Sequence, residues 1–148
     1  AGAMARHPDL PVRFLIDWEG PADRNDTGGC DAANLGHLKG HACDDEDFWR
    51  QREAATFATG IQVPYQRLQS EKDHVQPDQA HTLLMINNAT AEEHGGSGQS
   101  PWTRLNDGQA NTTYTADTLP PLIPEKGPDM QVDALVIRYA HELFAMGW

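Results

Sequence analysis

Val63-Pro64-Tyr65-Gln66-Arg67-Leu68, then Gln69, then Ser70-Glu71-Lys72-Asp73-His74-Val75-Gln76-Pro77-Asp78, is the stretch on which the fold class turns. The first run is apolar and β-favouring and has the length of a single strand. The second is polar and ends in Pro77-Asp78, where a helix can begin because the proline's missing N–H falls on the first helical position. Leu83, Leu84, Ile86 and Asn87 continue that helix. A strand, a polar loop and a helix in this order make half of a parallel crossover unit.

The pattern repeats in both directions. Upstream, Asp44 and Asp45 are placed to cap a helix from about Glu46 to Thr59, anchored by Phe48, Trp49, Ala55 and Phe57. Before it, residues 22–45 lack periodicity and form an irregular excursion. Earlier still, Val12-Arg13-Phe14-Leu15-Ile16 reads as a buried strand that ends at Asp17-Trp18-Glu19-Gly20-Pro21. Ala1–His7 has the character of the last turns of a helix, stopped by Pro8 and Pro11. Downstream, Gly95-Gly96-Ser97-Gly98 breaks the chain, Trp102-Thr103-Arg104-Leu105 is a short third strand, and residues 106–129 are a proline-rich loop. Met130–Met146 is a helix with Val132, Leu135, Val136, Tyr139, Leu143 and Phe144 along one stripe. Strands separated by helices predict an α/β domain, a parallel sheet flanked by helices, over residues 1–148 as a single domain or part of one. Its functional surface is expected beyond the carboxyl ends of the strands.

Composition narrows the functions open to such a domain. Acidic residues outnumber basic ones 22 to 11, for a formal charge of −11. That balance excludes nucleic acid as a partner, since phosphate binding requires a basic face. No apolar run approaches the roughly 20 residues that span a bilayer, so no membrane partner is expected.

The loop Ser70–Pro77 following a strand resembles the acid loop in the C-terminal half of an α/β-hydrolase, where glycine, two variable residues, aspartate, two variable residues and Val/Met-Pro follow a late strand. Asp73 takes the acid's place, Ser70 replaces the glycine, and Pro77 closes the turn one residue late. The resemblance covers most of the chain. It implies a serine-type esterase or peptidase that acts on a small-molecule or ester substrate, with Asp73 orienting a histidine and Trp18 and Glu19 at the rim of the substrate site. The G-x-S-x-G elbow is absent, and Ser70, Ser97 and Ser100 are the only serines. After His94 the only histidine is His141, within the terminal helix, while Asn106 and Asp107 stand where the histidine loop belongs. The resemblance therefore implies a nucleophile supplied from outside this chain, or an inactive fragment. A sheet cut in half has an unpaired edge, which predicts self-association or pairing with a missing N-terminal segment.

A second chemistry is written in Asp23-Arg24-Asn25-Asp26-Thr27-Gly28-Gly29-Cys30-Asp31. Asp23, Asn25, Thr27 and Asp31 fall at the alternating positions by which a tight loop turns oxygen ligands onto one Ca²⁺, with Gly28 at the bend. The same composition also makes a solvated turn-rich loop. The alternative function is accordingly a secreted, calcium-stabilised binding or structural module without catalysis. His37, His41, Cys43 and Asp44 include zinc-type ligands, but Gly36 and Gly40 argue against a helix that would align them, and they read as loop residues. Cys30 and Cys43 are either free thiols or one disulfide, which would close a loop of about 14 residues and stabilise by roughly 3 kcal/mol. The paired cysteines, low lysine content and many acids favour the disulfide and a secreted or periplasmic protein.

Overall fold

The computed structural model describes residues 2–7, 9–20, 22–24, 43–71, 79–124 and 128–148. Its framework is a three-stranded parallel sheet with helices on both faces. The strands are β1 (Leu15–Trp18), β2 (Tyr65–Leu68) and β3 (Thr103–Leu105), in spatial order β1-β2-β3. The register pairs Leu15 with Tyr65 and Thr103, and Asp17 with Arg67 and Leu105. The helices are α1 (Gly2–Arg6), α2 (Glu46–Arg50), α3 (Ala54–Ala58), α4 (Ala80–Ala89) and α5 (Pro128–Ala145), with a 3₁₀ turn at Glu92–His94. The parallel α/β architecture expected from the strand–helix alternation is present.

Side chains alternate across a strand, so the register sorts the sheet into two faces. Tyr65 and Leu105 face α3 and α4 and build the main core with Ala58, Ile61, Met85, Ile86, Ala89 and Tyr114. Helix α4 supplies its share through a buried stripe of His81, Thr82, Met85, Ile86 and Ala89. Arg104 points the other way, donating 2.5 Å to Glu142 of α5 and lying over the Tyr139 ring. Tyr139 and Leu143 of that helix are buried, whereas Phe144 is 54% exposed. The central strand is buried at all four positions because helices cover both sides of it.

Several boundaries differ from the sequence expectation. β1 begins at Leu15, not Val12, because the ladder starts where the Leu15 N–H meets the Pro64 carbonyl, while the Val12 N–H turns back to Leu10. The helix expected over Glu46–Thr59 is two helices. Asp45 caps the first through the Phe48 N–H at 3.1 Å, as its position predicts. Glu53 then adopts an extended backbone, and the Ala55 N–H bonds to the Ala22 carbonyl rather than along a helix. A tertiary bond thus replaces a local one.

The excursion that follows β1 is gathered at its neck. Arg24 donates 2.9 Å to the Cys43 carbonyl and 2.7 Å to Glu46, and its own N–H bonds to Glu53. Residues 24 and 43 are therefore neighbours in space. The 95–98 segment, whose composition suggests a free loop, is packed against the end of α4. A Cβ on Gly96 would lie 2.1 Å from the Thr90 carbonyl oxygen, and one on Gly98 2.1 Å from that of Asn88. Only glycine fits so close to backbone.

Candidate functional site

In a parallel sheet all strands end at the same edge, so Glu19, Gln69 and Asn106, each the first residue beyond its strand, emerge together. Glu19 and Asn106 both adopt a left-handed backbone, at φ 47°. Glu19 is only 5% exposed. Its Oε1 accepts the Ser70 N–H at 2.7 Å and also the Ser70 hydroxyl. The carboxylate thereby pins the first turn of the loop that leaves β2.

Asn106 is a clamp. Its Oδ1 accepts the Gln69 N–H at 2.9 Å, and its Nδ2 donates to the carbonyls of Gln69 at 3.0 Å and Pro121 at 3.1 Å. With one acceptor oxygen and two amide protons, the side chain meets a backbone N–H and two carbonyls at once, one bond more than a neutral imidazole can offer. The position where the resemblance expects a histidine loop is filled by a structural joint between β2, β3 and the proline-rich loop.

Beneath this edge, on the α4 face, lies a connected polar network. Arg67, fully buried in the central strand, donates to Asp17 of β1, to the Gly20 carbonyl at 2.9 Å and to Thr82 of α4 at 3.1 Å. Tyr65 donates to the same Asp17 oxygen at 2.7 Å. Burial lowers the Arg67 pKa, but Tyr65 and Asp17 together outweigh it and leave the guanidinium held above its usual value. Burial and then the Asp17 carboxylate push the Tyr65 phenol far above its ordinary value. Thr82 passes the network on to the side-chain oxygen of Gln69, Oε1, which also meets His81 Nε2 at 3.0 Å. That oxygen is an acceptor only, which assigns the imidazole proton to Nε2. His81 is fully buried on the packed face of α4, and its Nε2 is committed to Gln69.

No family model, curated protein or solved structure matches the chain.

The residues singled out from the sequence fall unevenly. Glu19 is at the carboxyl edge, in contact with Ser70, and Trp18 is the last residue of β1. Asp73 lies outside the described residues, five positions past the end of β2. Of the calcium-type loop, Asp23 is described, while Asn25, Thr27 and Asp31 lie outside, as do His37, His41 and Cys30. Among the described residues no three His, Cys, Asp or Glu side chains are grouped as a metal would require. No described helix is long and apolar enough to cross a membrane. His94 follows the end of α4, which leads back toward the start of β3, and so sits at the opposite end of the sheet from the carboxyl edge. Ser100 is also at that far end, donating 2.8 Å to the Val63 carbonyl.

Sequence reasoning missed Asp17, Arg67, Gln69 and Thr82. Arg67 carried the available signal: a cation inside a strand that must be buried on both faces demands an acid partner. Asp17, near the end of the neighbouring strand, is that acid.

Proposed function

We propose that this chain is a hydrolase-like domain, corresponding to the C-terminal half of a serine-type α/β-hydrolase, and that it takes part in hydrolysis of an ester or amide with the nucleophile supplied by residues outside it. The observation that carries this reading is the consecutive parallel order β1-β2-β3, with crossover helices on one face and α5 on the other. It brings the start of the 70–77 loop to the centre of the carboxyl edge, beside Glu19 and Asn106.

In this reading each residue of the chain has a limited task. Asp73 orients the histidine that relays the serine proton and stabilises the imidazolium formed during acyl transfer. Glu19 is a positioning residue, because its bonds to Ser70 set where the acid loop leaves β2. Ser70 donates its hydroxyl to a carboxylate with no imidazole between them, and so does not serve as the nucleophile. Asn106 is fully engaged as a clamp, and the imidazole comes from elsewhere.

The test is hydrolysis of a p-nitrophenyl ester by the chain extended upstream. Activity that falls roughly 10⁴-fold in Asp73→Ala, with the melting temperature unchanged, is the expected result. Absence of turnover in the extended protein would remove the hydrolase reading.

A further inference from the structure

The chain has eight arginines and 22 acidic residues, and five of the arginines meet a carboxylate: Arg24, Arg50, Arg67, Arg104 and Arg138. Among the described residues, Arg6, Arg13 and Arg52 meet none. Two of these three, Arg6 and Arg52, line the same hollow, about 620 Å³ in volume, between α1 and the α2–α3 junction. His7 lines it as well, and no acidic side chain does.

The two guanidiniums are braced without being neutralised. Arg6 donates to the Gln51 carbonyl, and its guanidinium carbon lies 5.2 Å from the Phe57 ring centroid. Arg52 donates 3.1 Å to the Phe48 carbonyl and lies 3.9 Å over the Phe48 ring. Each bond uses one of five N–H donors and cancels no charge, so most of each fork stays available. Small residues make the room. Gly2, Ala3 and Ala54 line the hollow, and a Cβ on Gly2 would already lie 3.4 Å from the Phe57 ring. A molecule of net charge −11 repels anions at long range, so these two cations are a local feature and not part of a basic surface.

We infer that this hollow binds a small organic phosphate, with Arg6 and Arg52 as the groups that hold its dianion. A carboxylate presents one pair of oxygens to one guanidinium fork. A phosphate monoester has three terminal oxygens and a second charge, enough for two forks. The volume falls within the roughly 300–1,000 Å³ of small-molecule sites and exceeds what a bare phosphate ion fills, leaving space for an organic group. None of the lining residues belongs to the carboxyl edge of the sheet, so the inference goes beyond the hydrolase reading and stands without it.

Titration of the 148-residue chain with phenyl phosphate tests it, by calorimetry and by amide NMR shifts. Saturable one-to-one binding is expected, with shifts centred on Ala3, Arg52 and Ala54. Arg6→Gln and Arg52→Gln should each weaken it about tenfold or more, while Arg13→Gln, outside the hollow, leaves it unchanged. Arg52→Lys should fall between, because it keeps the charge and loses the fork. All three arginines are exposed, so the melting temperature should move little in any variant. Benzoate binding as tightly as phenyl phosphate would overturn the choice of phosphate. Absence of saturation by about 10 mM, or an equal loss in Arg13→Gln, would overturn the site itself.

Discussion

The carboxylate of Glu19 holds both the amide and the hydroxyl of Ser70, joining the residue just past β1 to the loop just past β2 across 51 positions of sequence. The pair is buried at the acid and partly buried at the serine, and it fixes the path of the chain as it leaves the central strand. Ser70→Ala removes one charge-assisted bond and should cost about 1.5–3 kcal/mol in urea unfolding, with Glu19→Ala costing more because the Ser70 N–H also loses its acceptor. If the extended protein is an esterase, Ser70→Ala should leave most of its turnover intact, since the hydroxyl positions a loop rather than attacking substrate.

Arg67 is the most consequential charge in the fold. Its side chain is fully buried and that of Asp17 is 22% exposed. Asp17→Ala should destabilise by roughly 3–5 kcal/mol, because it strands a buried guanidinium, while the double variant Asp17→Ala/Arg67→Met should recover a large part of that loss. A double-mutant cycle by denaturant unfolding measures the coupling. Strict additivity would mean that the two groups do not act as a pair.

Two groups at the β3–α5 junction set opposite pH limits. Burial, then the Asp107 carboxylate, raises the Tyr139 phenol to about 12. Between its ordinary value of 10.0 and about 12, the unfolded chain has lost a proton that the folded chain keeps, so stability falls as pH rises through that window. Tyr139→Phe should flatten this alkaline loss in part, with Tyr65 accounting for more of it. Burial raises the Asp107 carboxyl, but bonds from Arg138 and Tyr139 outweigh it and hold it below its usual value. Its contribution is present above the unfolded carboxylate pKa, about 4, and is lost as pH falls through the lower folded value. Because Asp107 is 63% exposed, Asp107→Asn should cost under about 1 kcal/mol at neutral pH.

Gly98→Ala should be among the most damaging single-methyl additions. The new Cβ would meet the Asn88 oxygen at 2.1 Å and the Ala89 oxygen at 2.5 Å, both backbone atoms that cannot swing away. A loss of about 2–4 kcal/mol by thermal or urea unfolding is expected, from overpacking against the end of α4. A neutral substitution would mean that this segment is not held against the helix.

Asn106→Ala leaves the Gln69 N–H and the Pro121 carbonyl without their partner and gives up three bonds. A cost of about 2–4 kcal/mol is expected. Asn106→Gly removes the same bonds but relieves the φ of 47°, so comparing the two separates backbone strain from clamping.

The order of elements and the parallel arrangement were legible in the amino acids because they depend on local pattern. Short β-rich runs at Leu15–Ile16, Tyr65–Leu68 and Thr103–Leu105, set between helical stretches, leave little choice but crossovers and a parallel sheet. The cap at Asp45 and the stripe through Tyr139 and Leu143 are local in the same sense. What only the tertiary structure decided is which distant groups meet. Asp17 and Arg67 are 50 positions apart, Gln69 and Asn106 37, and each pairing exists only once the strand register is set. The split of α2 from α3 belongs here too, since the Ala22 carbonyl captures the Ala55 amide from outside the helix. Local propensity chooses the pieces, while register and burial choose partners for charged and amide groups that would be costly to leave alone in the interior.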